Sequence, residues 1–273
     1  MTVRTALLQG TRLLEDAAVP VSRLTGEVLL AHALRRDRVY LFGHPEYELS
    51  ELEWLHYGRY LHERIQGKPT QYITGRQEFY GREFRVTPDV LIPRPETEHV
   101  VEAALQLARG AARIVDVGCG SGILAVTLRL ETGAAVWASD ISSAAIRVAA
   151  QNAQRLGAPV SFVICDLARG FAGASMDLMV SNPPYVPLGD EAGLQREVRD
   201  WEPREALFAG PTGLEIYARL VRDAERVLRP GGWLIMELGY NSRDRVAAMF
   251  SGAWREVRTF PDLAGIPRVI AAR

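Results

Sequence analysis

Apolar residues recur at intervals of three and four through the first part of the chain, the spacing that lines one face of an α-helix. VRTALLQGTRLLEDA, SRLTGEVLLAHALRR and SELEWLHYGRYLHERIQ each follow it. Ser22 is placed to cap the second, and Ser50 with Glu53 has the capping-box spacing at the start of the third. Three or four such helices predict a small bundle over residues 1–68, in which Trp54, Tyr57 and Tyr60, at helical spacing, read as core. GKPTQYITG then breaks the helical pattern, and QEFYGREFRVT alternates as a β-hairpin does, so residues 69–96 read as a connector.

From residue 97 the rhythm changes. Short apolar strands (RIVDVG, AVWASD, VSFVICD, MDLMVSN, WLIMELG) alternate with helical segments (GILAVTLRL, SSAAIRVAAQNAQRLG, GLEIYARLVRDAERVLRPGG), the last expected to end at its Pro-Gly-Gly. Alternation of this kind predicts an α/β fold over 97–273, a parallel sheet covered on both faces, closed by WREVRTF and PRVIAA as an antiparallel pair. Function is then expected at the carboxyl ends of the strands.

Composition narrows the picture. At 273 residues, 48% hydrophobic and 24% charged, the chain has material for one small and one standard domain. No run approaches the roughly 18 apolar residues of a membrane span, and MTVRTALLQGTRLLEDA is broken by charges where a signal peptide has an apolar core. A cytoplasmic, membrane-free protein is expected, with a monomer as the default. A net charge of −1 gives no global attraction to nucleic acid. Cys119 and Cys165 are too few for a disulfide framework, and neither they nor the five histidines have metal-ligand spacing, so no metal is expected.

The first strand runs into DVGCGSGIL, where Gly118, Gly120 and Gly122 allow a tight turn and close approach of a ligand to a helix N-terminus. The dinucleotide fingerprint needs its third glycine at position 123, which is Ile, and that argues against a dehydrogenase. Asp140 ends the second strand about twenty residues on, where an acidic side chain can accept both hydroxyls of a ribose; the plainer reading is a helix cap. Asp166 ends the third strand and is placed either to meet an adenine amino group or to begin a loop. The fourth strand stops in VSNPPYVPL, where two prolines remove two donors, fix two φ angles and hold the segment rigid.

A glycine turn, two aspartates and then Asn-Pro-Pro-Tyr, in this order, resembles the class I, Rossmann-like S-adenosylmethionine-dependent methyltransferases that act on an amino group attached to an sp² carbon. An amide nitrogen has its lone pair drawn into the π-system and is a poor nucleophile. If the Asn182 oxygen and the Pro183 carbonyl accept its two hydrogens, electron density returns to nitrogen and the group is aimed. Tyr185 can stack on the planar amide. No strong base is needed, since the proton leaves after the methyl arrives.

GKPTQYITGRQEFYGREFRVTPDVLIPRPETE, WEPREALFAGPTGLEIY, LRPGGWLIMELGYNS and DLAGIPRVI extend the likeness along the whole chain to the release factor glutamine methyltransferases, the PrmC/HemK family. The resemblance implies methylation of the Gly-Gly-Gln glutamine of bacterial class I peptide chain release factors, yielding S-adenosylhomocysteine. It implies a cofactor site at Asp116, Gly118, Cys119, Gly120, Ser121, Gly122, Asp140, Ile141, Asp166, Leu167 and Asn182. Asn182, Pro183, Pro184, Tyr185 and Arg94 would hold the substrate, with Asn182, Pro183 and Tyr185 catalytic, and the N-terminal bundle would grip the protein substrate. Leu167 stands where the family often has Trp. Phe79 and Arg94 are expected to border the site, the plainer reading being hairpin packing and an ion pair of Arg94 with Glu96 or Glu98. The rivals are a glutamine methyltransferase acting on a ribosomal protein, an adenine amino methyltransferase on DNA or RNA, and a cofactor-binding module without turnover.

Overall fold

The computed structural model describes residues 1–273, which divide into two compact units, Met1–Arg76 with Gln195–Trp201 and Gln77–Leu194 with Glu202–Arg273. The segment expected as a separate connector is therefore shared between them.

The first unit is helical: α1 (Val3–Asp16), α2 (Ser22–Leu34), α3 (Arg38–Gly43), α4 (Glu51–Ile65) and α5 (Thr70–Thr74). Its core gathers Val3, Ala6, Leu14, Leu29, Leu30, Leu41, Tyr57 and Leu61, with Trp54 and Tyr60 packed partly buried against it. The α4 capping box forms as the spacing predicts, Ser50 Oγ accepting from Glu53 N and the Glu53 carboxylate accepting from Ser50 N at 2.7 Å. Ser22 does not cap α2; its hydroxyl donates to the Val19 carbonyl at 2.6 Å, and Val21, in the left-handed region, precedes the helix. GKPTQYITG holds α5 rather than only a break, because Pro69 stands at its N-cap and Gly75, at φ 73°, ends it. Residues 195–201, which contain a short helix (Arg196–Trp201), join this unit through the buried Arg64 guanidinium, which donates to Glu197 at 2.5 Å.

The second unit opens with the hairpin β1 (Arg76–Phe79) and β2 (Arg82–Arg85) and continues through α6 (Glu98–Leu107) into β3 (Arg113–Val117), α7 (Ile123–Thr132), β4 (Ala135–Asp140), α8 (Ser143–Arg155), β5 (Val160–Ile164), β6 (Met176–Ser181) and the two-residue β7 (Val186–Pro187). With the Arg196–Trp201 helix counted as α9, α10 (Arg204–Leu207), β8 (Phe208–Gly210), α11 (Glu215–Val227), β9 (Leu228–Glu237), α12 (Arg243–Ala247), β10 (Val257–Pro261) and β11 (Pro267–Ala272) complete it. The seven-stranded sheet has the order β10-β11-β9-β6-β3-β4-β5, with all strands running the same way except β11, which is antiparallel to both β9 and β10. The chain steps outward from β3 through β4 to β5, then returns to β6 on the other side of β3. The carboxyl end of β3 is thus a topological switch point, the place where open α/β sheets bind ligands.

Strand alternation sorts the side chains. Ile114, Leu178, Val180, Trp233 and Ile235 face a core shared with α6 and α7, while Val115, Val117, Met179, Leu234 and Met236 face the opposite core under α11. Helix α11 stops at Val227, before the Pro-Gly-Gly expected to end it. That tripeptide lies inside β9 as an excursion, since Leu228 pairs with Met176 and Trp233 with Leu178. No helix is long and apolar enough to cross a membrane.

Candidate active site

A cavity of about 560 Å³ opens at the switch point, within the size range of small-molecule sites. Its walls include Asp116, Gly118, Cys119, Gly120, Ser121, Asp140, Ile141, Asp166, Leu167, Asn182 and Pro184, eleven of the residues expected from sequence. Gly122, Pro183, Tyr185 and Arg94 do not line it.

The turn after β3 needs its glycines for two separate reasons. Gly120, at φ 52°, turns its N–H onto Asp140 Oδ2 at 2.9 Å. Gly122, at φ 83°, lets α7 approach α8 so closely that a Cβ there would lie 3.0 Å from the Ala149 Cβ. Asp140 is not the helix cap. That place belongs to Ser142, whose Oγ accepts from Ala145 N, while Asp140 Oδ1 accepts from Ser142 N at 2.9 Å. Both Asp140 oxygens so accept from backbone donors and keep lone-pair capacity for a ligand. Burial pushes its carboxyl above the usual range, against the hydrogen bonds from Ser142, Gly120 and Ile141.

Asp116, on β3, is fully buried. Its Oδ2 accepts from Ala125 N at 3.0 Å, while Oδ1 has no partner, and burial raises its carboxyl to about 7. An unpartnered buried carboxylate oxygen in a cavity wall is a place for a ligand's donor or cation. Burial also holds the Cys119 thiol well above its usual range, which leaves it a small apolar wall element. Asn152 braces this region: its Nδ2 donates to Ser121 O and Arg85 O, each at 2.9 Å, and its Oδ1 accepts from Arg85 N, tying the glycine turn to β2.

Beyond β6 the chain leaves the sheet as anticipated for two prolines. The last strand residue, Ser181, donates its hydroxyl to Val117 O at 2.7 Å. Asn182 follows, its Nδ2 donating to Thr97 Oγ1 at 3.1 Å, and Thr97 in turn donates to Glu237 Oε2 at 2.6 Å. Pro183 is buried. Tyr185 turns back onto the main chain of Gly239, where a Cβ would meet its ring at 2.7 Å, and burial raises its phenol. The β9 end is held by Tyr217, which donates to Glu237 O and accepts from Gly239 N.

Arg94 pairs with the buried Glu202 at 2.5 Å rather than with Glu96 or Glu98. Those two serve other ends: Glu96 faces Arg268 at 3.7 Å, and Glu98 accepts from Tyr80 N. Phe79 is buried in the core beside Phe84, the packing alternative. The Asp166 carboxylate is engaged by the Arg219 guanidinium at 2.5 and 2.6 Å. Leu167, at φ 49°, lines the cavity, accepts from Ser139 Oγ through its carbonyl and packs partly buried against the core under α11.

Sequence reading did not single out Pro88, Val90, Leu91 and Pro93, which form one wall, or Pro203, Glu205, Phe208 and Arg219, which form another. The prolines were the available signal, marking both stretches as stiff loops.

Residues 5–75 match the family of the PrmC N-terminal domain and residues 99–195 the methyltransferase small domain. Over 100% of its length the chain is 46% identical to the release factor glutamine methyltransferase of Koribacter versatilis, covering 99% of that protein. It is 42% identical to the protein of that name from Nitratidesulfovibrio vulgaris, covering 100% of this chain and 95% of that one. Among solved structures, the T. thermophilus 16S rRNA methyltransferase in complex with AdoMet and guanosine superposes with a TM-score of 0.53 at 20% identity, over 72% of this chain and 49% of that one. That likeness shows the fold alone.

Proposed function

The chain belongs to the family of release factor glutamine methyltransferases, and we propose that it transfers a methyl group from S-adenosylmethionine to the Gly-Gly-Gln glutamine of a bacterial class I peptide chain release factor. The observation that carries this reading is the Asn182 side chain in the cavity wall, with its nitrogen already engaged by Thr97. Its oxygen is left as an acceptor for a substrate N–H. The cytoplasm, where translation ends, is the expected location.

The cavity residues fit the cofactor by donor and acceptor chemistry. The Asp140 oxygens would take ribose hydroxyls, the unpartnered Asp116 Oδ1 a donor such as the cofactor's ammonium group, and Ile141 with Leu167 the apolar faces of the adenine. S-adenosylmethionine supplies a methyl on a sulfonium sulfur, and the sulfur keeps the bonding pair when the methyl passes to nitrogen. The remaining work falls to the chain. Asn182 Oδ1 and the Pro183 carbonyl accept the two amide hydrogens, which restores electron density to the nitrogen and aims it. The stiff Pro183-Pro184 pair holds both acceptors before the substrate arrives, and the proton lost from nitrogen after transfer goes to solvent.

Radiolabelled S-adenosylmethionine with a purified release factor, with the same factor whose motif glutamine is changed to Ala, and with duplex DNA tests the assignment. Label confined to the intact factor supports it. Label on the altered factor or on DNA overturns the substrate and leaves the cofactor site standing.

A further inference from the structure

The Pro-Arg-Pro-Glu-Thr-Glu stretch, so prominent in the sequence, meets the end of β9 at one side chain, Thr97. This residue is fully buried, and so is Glu237 apart from a few per cent of its surface. A hydroxyl has a single proton. In the observed arrangement that proton goes to Glu237 Oε2 at 2.6 Å, so the Thr97 oxygen turns a lone pair toward Asn182 Nδ2 at 3.1 Å. The Asn182 amide is thereby read by its neighbours, nitrogen inward and oxygen outward.

We propose that Thr97 and Glu237 are positioning residues that hold Asn182 in the one amide orientation presenting its oxygen to the substrate amide. The inference rests on the methyl transfer to glutamine proposed above. An ionised Glu237 is acceptor-only and enforces this orientation. A protonated Glu237 can donate to Thr97, whose own proton is then free to point at Asn182. The amide turned end for end would satisfy that donor, but it would present its NH₂ to the cavity, where it can accept nothing from a substrate N–H.

The surroundings of Glu237 make such a switch accessible near neutrality. Burial raises its carboxyl to about 7, countered by the Thr97 hydrogen bond. Glu96, from the stretch before α6, raises it further, while Arg268 on β11 and Arg94 lower it. Tyr185 and Tyr217 face it from the loop after β6 and from α11, and burial keeps both phenols neutral. Activity is therefore expected to rise as pH increases through about 7.

The test follows methyl transfer to an intact release factor from about pH 5.5 to about 8.5, a window bracketing that midpoint, for the wild type, Thr97→Val, Thr97→Ser and Glu237→Gln. In parallel, the ¹⁵N side-chain amide signal of Asn182, assigned by its loss in Asn182→Ala, is followed over the same range in the full chain without substrate. Thr97→Val, which keeps the side-chain shape, should lower kcat by about 10- to 100-fold, the loss expected for one misplaced hydrogen bond. KM and cofactor Kd should stay as in the wild type, and Thr97→Ser should restore kcat. In the wild type, kcat and the Asn182 signal should titrate together; in Glu237→Gln both should be flat on the acid side. Wild-type kcat in Thr97→Val, or an acid limb that survives Glu237→Gln, overturns the inference. If the wild type leaves the factor unlabelled while the Asn182 signal titrates with Glu237, the substrate reading fails and the positioning stands.

Discussion

At the scale of single residues, the proposed site separates binding from turnover. Asn182→Ala should lower kcat by about 100- to 1,000-fold, as removal of a pre-placed polar group at a reacting centre does, with cofactor Kd nearly unchanged. Calorimetric titration of the variant with S-adenosylmethionine checks the second half, and a collapse of affinity would reassign the residue to the cofactor. Asp140→Ala should act the other way. It loses acceptors whose other capacity steadies Gly120 and Ser142, so cofactor Kd should rise by about 10-fold or more before kcat changes. An unchanged Kd would argue against the ribose assignment.

At the scale of elements, two glycines matter for what they leave empty. Gly239 follows β9 and accommodates the Tyr185 ring, so Gly239→Ala should push that ring toward the loop of Asn182, lower kcat in the methyl-transfer assay and cost some stability by overpacking. Gly10 lies inside α1, where Ala would gain about 1 kcal/mol of helix propensity. A Cβ there, however, would stand 2.0 Å from the hydroxyl of the fully buried Tyr57. Overpacking of about 1–3 kcal/mol should outweigh the gain, and urea denaturation of Gly10→Ala should show a net loss. Elements with strong local signals form as their spacing indicates, as the α4 capping box and the β1–β2 hairpin do. Those whose ends depend on neighbours do not: α11 ends early because β9 begins pairing with β6 at Leu228.

For the molecule as a whole, two buried carboxyls leave a signature in stability. Asp116 and Glu237 titrate near 7 in the folded chain, against about 4 when unfolded. The folded state therefore holds more protons across that window, and its stability falls as pH rises from about 4 to about 7, then levels off. Denaturant titrations at both ends of the window should show this fall in the wild type and a flatter dependence in an Asp116→Asn, Glu237→Gln double variant. A parallel course for the two proteins would refute the linkage. S-adenosylmethionine should restore part of the loss above neutrality by mass action, more so if its ammonium meets Asp116.

The alternation of strands and helices from β3 onward, the parallel sheet, the glycine turn and the rigid Asn-Pro-Pro-Tyr exit were legible in the sequence, whereas α5, α6 and the short elements between β6 and α11 were not. They rest on local physics: hydrophobic period, capping, glycine φ and proline stiffness act between residues a few positions apart. Asp140 and Asn182 stood out because both end strands, and strand ends are where such sheets bind ligands. What the sequence alone could not decide is which strand ends become neighbours. Glu237 in WLIMELG reads as the polar end of an apolar strand, and Thr97 as one letter of a motif. Only the placement of β9 beside β6, in the register Ser181↔Met236, brings Glu237 next to Asn182 on the same face of the sheet. The turn before α6 then lowers Thr97 between them. The pairings of Arg94 with Glu202 and Asp166 with Arg219 were hidden for the same reason, since partners 108 and 53 residues apart are chosen by topology and packing rather than by spacing.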